Sequence, residues 1–131
     1  MTGSEAPGSV RVREAVAEFV RSLRARKLSP HTIDGYERDL HAVAELAAAE
    51  AGVPVADLEV RALDGRLMRA AFAEFSVPRS AASVNRAWSA WNRFMTFCVA
   101  DGLLEGNPMA AVPRPRQPAR APKPLLGDGT A

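Results

Sequence analysis

The sequence predicts an all-α protein, a bundle of four helices followed by an extended stretch rich in proline and arginine. Three observations carry that prediction. Four segments repeat their apolar residues at the three- and four-residue steps of a helix. No segment alternates with the two-residue period of a strand. Ser or Asp opens three of the four, and glycine closes two, which is the usual chemistry of helix ends. With 131 residues the chain has the length of one domain, and its 47% apolar content excludes wholesale disorder.

The first helix places Val12, Val16, Phe19, Val20 and Leu23 on one face. It runs into Arg24, Arg26 and Lys27, cations that suit the negative end of a helix dipole. Leu28-Ser29-Pro30 then starts a second helix. Ser29 can accept a bond from an orphan N–H, and Pro30 at the first helical position gives up nothing. Its buried set is Ile33, Tyr36, Leu40, Val43 and Ala47, and Gly52 is the expected stop. Residues Val53 to Arg61, with Pro54 among them, read as a connector.

Asp64 caps a short third helix with Leu67, Met68, Ala71, Phe72 and Phe75 inward, broken by Val77-Pro78. Ser80 caps the fourth, whose buried stripe is Val84, Ala87, Trp88, Trp91, Phe94, Met95 and Cys98, ending at Asp101-Gly102. From Asn107 the composition changes: six prolines lie between Pro108 and Pro124, interleaved with Arg114, Arg116, Arg120 and Lys123. That reads as a semi-rigid linker. The expected organisation is a flexible lead-in over 1–9, a folded domain over 10–106 and a linker over 107–131.

A single cysteine, Cys98, excludes an internal disulfide and a cysteine-based metal site. No apolar run approaches the roughly 20 residues of a membrane span, and residues 1–9 lack the apolar stretch of a secretory signal. A cytoplasmic protein without membrane association or cofactor is the expectation. Net charge is only +2, but its distribution is uneven. Between Asp34 and Glu74 nine acids face four arginines, whereas from Ser76 to Ala100 the only charges are Arg79, Arg86 and Arg93. Such segregation is the footprint of a phosphate binder, and is equally open to the reading of ordinary solvated helix faces.

Opposite the aromatic stripe of the fourth helix sit Ser83, Asn85, Arg86, Ser89, Asn92, Arg93 and Thr96, with no acid among them. Hydroxyls, amides and guanidinium groups bond phosphate oxygens and base edges, and carboxylates there would be repelled. The other reading is a solvated face that happens to lack acids. At the start of the second helix lie Ser29, His31, Thr32, Gly35 and Arg38, beside free backbone N–H groups that suit a phosphate. His31 either reaches a phosphate or base there or is an ordinary surface histidine.

These residues resemble a known family. Leu28-Ser29-Pro30-His31-Thr32-Ile33-Asp34-Gly35-Tyr36-Glu37-Arg38-Asp39-Leu40 is similar to the opening "L-S-x-x-T-x-x-x-Y-x-x-D-L" of the N-terminal core-binding, SAM-like domain of tyrosine recombinases and phage integrases. Ser80 to Phe94 resembles that domain's last long helix, with Ser83 in place of the usual threonine. Gly102-Leu103-Leu104-Glu105-Gly106-Asn107-Pro108 resembles its "G-x-x-x-x-N-P" exit, and the basic proline segment resembles the interdomain linker. The likeness runs from about Val10 to Leu126.

The resemblance implies a four-helix core-binding bundle that clamps double-stranded DNA from one side, its second and fourth helices facing the major groove. A separate catalytic domain clamps the other side, and protomers meet on the DNA. By this implication Ser29, Thr32 and Tyr36 lie at backbone contacts or groove packing, and Ser83, Arg86 and Arg93 face DNA; the residue chemistry above adds His31, Arg38, Arg79, Asn85, Ser89 and Asn92 to the expected DNA-binding set. Family catalysis needs two arginines, a lysine, His-x-x-Arg and a nucleophilic tyrosine, all in the second domain. Here His31 is followed three residues on by Asp34, His41 by Ala44, and Tyr36 is the only tyrosine. The expected function is therefore DNA binding without catalysis, the catalytic domain lying outside this sequence. The alternative is a helical protein-interaction module whose basic tail docks an acidic partner.

Overall fold

The computed structural model describes residues 10–115, so the lead-in over 1–9 and the later linker over 116–131 lie outside the described residues. The described residues form four α-helices: α1 (Val12–Ala25), α2 (Pro30–Ala51), α3 (Gly65–Ser76) and α4 (Ala81–Ala100). Each start has a local cause. Glu14 reaches back to accept the Arg11 N–H at 3.1 Å at the head of α1. Ser29 Oγ accepts from Thr32 N at 3.2 Å before α2, and Asp64 Oδ1 from Leu67 N at 2.8 Å before α3. Ser80 Oγ accepts from Ser83 N at 3.2 Å before α4. α2 stops at Gly52, whose φ of +77° is left-handed backbone that a side chain would strain.

The long helices α2 and α4 pack on each other, with α1 and α3 each touching both. The core they share includes Phe19, Leu40, Val43, Met68, Phe75, Trp91, Phe94 and Met95, all buried. Phe94 lies edge-on to Phe19 at 5.6 Å and to Trp91 at 5.4 Å, the offset geometry that aromatic quadrupoles favour.

Two stretches read as connections turn out to be packed. Val53 to Arg61 forms single 3-10 turns at Val55–Asp57 and, running one residue further, Val60–Ala62. This segment pairs with the chain just before α1, Val12 N donating to Leu58 O and Val60 N to Val10 O, both at 2.8 Å. Leu58 and Val60 are thereby driven into the core.

The second stretch begins at Asn107. Asn107 Oδ1 accepts from Met109 N at 2.8 Å and starts a 3-10 turn, Pro108–Ala111. Met109 is fully buried and Val112 nearly so. The turn packs mainly on α3 and α4, and there a Cβ on Gly65 would meet Ala111 Cβ at 2.7 Å. The folded unit thus extends through Val112 instead of ending at residue 106. Proline and arginine dominate the composition here, but two apolar side chains decide the packing.

The apolar stripes also need correction at their margins. Tyr36, Leu67 and Trp88 are half-buried at the edges of their helices, and the buried positions the apolar pattern overlooked include Asp39 and Ala90. No helix among the described residues is long and apolar enough to cross a membrane.

Candidate nucleic-acid interface

The α2–α4 contact sets the geometry of the candidate surface. At 100° per residue, Thr32, Tyr36 and Asp39 fall on the side of α2 nearest α4, whereas Asp34, Glu37 and Glu45 fall away from it. Three bonds cross the contact. The Trp91 indole N–H donates to Asp39 O at 3.3 Å inside the core. Arg86 Nε donates to Asp39 Oδ2 at 3.1 Å, and Arg93 Nη1 donates to Tyr36 Oη at 2.7 Å.

Both arginines remain largely exposed while held at one edge. Arg86 uses Nε for the carboxylate and keeps its Nη groups for another acceptor. Arg93 also sits with its guanidinium carbon 5.8 Å from the Tyr36 ring centroid, within cation–π range. Thr32 and Ser29 are exposed at the start of α2, their hydroxyls 3.0 Å apart. His31 and Arg38 are exposed on the outer side of α2. At Gly35 an added Cβ would meet only the Arg38 guanidinium at 3.7 Å, so nothing within the chain requires glycine there.

The remaining predicted residues do not join this flank. Asn85 and Asn92 lie toward the other edge of α4, with Ser89 between them and the two arginines, and all three are engaged by the chain's own exit segment. Asn107 Nδ2 donates to Asn92 Oδ1 at 2.8 Å and Asn85 Nδ2 to Pro115 O at 3.2 Å. Arg114 donates to both Asn85 Oδ1 and Ser89 Oγ. Ser83 is half-buried at the first turn of α4, beside the Ser80 cap. Arg79 donates to Phe75 O at 2.8 Å with its guanidinium over the Phe75 ring, so it closes the end of α3. The polar face that looks continuous in the sequence is therefore two edges. One carries Arg86 and Arg93 with their α2 partners, the other carries the exit segment.

Sequence reasoning missed Asp39, Arg114 and Asn107. For Asp39 the signal was its place beside Leu40 on the buried stripe, where a carboxylate demands a cation. For Arg114 it was the apolar Val112 two residues earlier, which anchors the chain and fixes the course of the residues after it.

Two long helices crossing through a shared core, two shorter ones bracing them, and paired arginines turned outward define a small helical bundle built to present cations along one edge. The chain belongs to the phage integrase N-terminal SAM-like domain family, whose model matches residues 16–102. It is similar to tyrosine recombinase XerC of Chromohalobacter salexigens, 38% identical over 117 residues that make up 89% of this chain and 38% of that protein. Tyrosine recombinase XerC of Xanthomonas campestris pv. campestris is 30% identical over 128 residues, 97% of this chain and 38% of that protein. The counterpart in Neisseria meningitidis serogroup C is 35% identical over 103 residues, covering 74% of this chain and 32% of its own length. The chain thus spans little more than a third of the curated relatives it matches. No solved structure matches it.

Proposed function

We propose that this chain is the core-site DNA-binding domain of a site-specific tyrosine recombinase, holding duplex DNA and leaving strand cleavage and joining to residues outside it. The observation that carries this reading is the pair of exposed guanidinium groups, Arg86 and Arg93, fixed from below by Asp39 and Tyr36 on an α4 that has no acid from Ala81 to Ala100. Preorganised guanidinium edges suit phosphate oxygens in a way that flexible surface cations do not. Ser29, Thr32 and the His31 N–H in the first turn of α2 extend the same edge. A catalytic domain and neighbouring protomers on the same DNA are the partners this reading implies.

Tyr36 is the only tyrosine, and its hydroxyl is committed to Arg93 as an acceptor, which suits a packing role better than nucleophilic attack. The experiment is an electrophoretic shift on random duplex repeated across salt concentrations. Binding that falls steeply with salt is expected, with a slope reduced by about 0.9 in Arg93→Ala. No shift at low salt overturns the DNA reading. A covalent adduct trapped on a nicked suicide substrate, and lost in Tyr36→Phe, overturns the division of labour.

A further inference from the structure

Arg114 lies in the stretch whose composition reads as linker, yet it is among the most closely held arginines of the described chain. Its guanidinium carbon sits 4.7 Å from the Trp88 ring centroid. Nη2 donates to Ser89 Oγ at 2.8 Å and Nε donates to Asn85 Oδ1. The backbone on either side is pinned to the same helix: Trp88 Nε1 donates to Val112 O at 3.0 Å and Asn85 Nδ2 to Pro115 O at 3.2 Å. Met109 and Val112, buried just upstream, prevent the segment from sliding.

Trp88, Asn85 and Ser89 therefore form a cradle with an indole floor and two acceptors along one edge. A guanidinium has five N–H donors in a rigid fork, and the cradle uses one on Nε and one on Nη2. Nη1 and the remaining Nη2 proton are left for something outside the chain, and Arg114 is exposed. Asn85, in turn, commits its oxygen to Arg114 and an amide proton to Pro115 O, and Ser89 Oγ accepts from Arg114. No acid lies within this cradle to neutralise the charge, unlike Asp39 beneath Arg86.

We propose that Arg114 is the phosphate-binding group of this edge, and that Trp88, Asn85 and Ser89 position it instead of touching nucleic acid themselves. The inference rests on the DNA-binding reading above. It moves the contact from the two polar side chains of α4 to an arginine that the exit segment lays across them.

The test uses the whole chain with a random-sequence duplex, titrated at several salt concentrations, with melting curves alongside. Arg114→Ala is expected to weaken binding several-fold and to lower the salt slope by about 0.9, one phosphate contact. The paired change Asn85→Ala with Ser89→Ala is expected to weaken binding with the slope unchanged, because the charge survives but is held loosely. Added to Arg114→Ala, the paired change is expected to do nothing more. A paired change that weakens binding equally with and without Arg114 would show that Asn85 and Ser89 contact DNA directly, overturning the inference. Wild-type affinity and slope in Arg114→Ala, with Arg93→Ala still impaired, would overturn it while leaving the DNA-binding reading in place. Failure of the unmodified chain to bind duplex at any salt would remove both.

Discussion

Asp39, 4% exposed, accepts a hydrogen bond from Arg86, whose side chain is 56% exposed, so one partner of the ion pair is inside the fold and the other mostly in water. That asymmetry makes the two truncations unequal. Arg86→Ala strips a buried carboxylate of its cation and is expected to cost on the order of 1–3 kcal/mol, the desolvation penalty of an unsatisfied polar group. Asp39→Asn keeps an acceptor for Arg86 Nε and leaves a cation that water can solvate, so its cost should be smaller. Denaturant melts of the two single variants and the double variant measure the coupling. Equal costs for both single changes would refute the asymmetry. Arg86 lies opposite the aromatic stripe, as its position in α4 predicts, yet its bond to Asp39 means that binding assays on Arg86→Ala need a stability control.

The helix starts were legible because capping is local chemistry. Ser29-Pro30, Asp64 and Ser80 each satisfy an N–H three residues on, and the sequence alone contains both partners. The apolar stripes were legible for the same reason. The contacts at Asp39, Asn85 and Ser89 were not, because their partners lie 47, 29 and 25 residues away and only the packing of α4 against α2 and the exit segment brings them together. Half of the candidate DNA face therefore reads correctly as polar and incorrectly as free.

The two tryptophans separate by environment. Trp91 is fully buried and bonded to Asp39 O, whereas Trp88 is half-buried beneath Arg114. Acrylamide should quench part of the native emission, and Trp88→Phe should remove that quenchable part. Equal protection of both rings would contradict the placement of Trp88 at the edge.

Burial pushes the Cys98 thiol up to about 12 from an ordinary value near 9.0, with the charge of Asp101 adding to the effect. At neutral pH it should resist thiol reagents in the native state and react on unfolding. Between about pH 9 and pH 12 the folded chain keeps a proton that the unfolded chain has released. Stability should therefore fall as pH rises through that window, having been full below it. Comparing melting temperatures of the unmodified chain and Cys98→Ala from pH 8 to pH 11 checks this: the gap between them should shift toward the variant at high pH. A constant gap would mean that the thiol is not the group responsible.

The last prediction concerns where the domain ends. Met109 contributes a fully buried side chain from a segment whose composition, proline with arginine and lysine, gives no apolar period to trace. If this turn merely lay on the surface, truncating it would cost almost nothing. Because Met109 is enclosed, Met109→Ala is expected to destabilise by about 2–5 kcal/mol, the transfer loss plus the cavity left behind. Gly65 tests the same contact from the other side. Alanine at an unobstructed first helical position would ordinarily stabilise slightly by restricting the unfolded chain. Here its Cβ would stand 2.7 Å from Ala111 Cβ, so Gly65→Ala should destabilise instead, by about 1–3 kcal/mol as the turn is forced outward. Pairing Gly65→Ala with Ala111→Gly removes the clashing carbon and should recover part of the loss. Neutral behaviour of both Met109→Ala and Gly65→Ala in denaturant melts would return the domain boundary to residue 106. Loss in both, with rescue in the pair, would carry it past residue 106 to include the turn Pro108–Ala111.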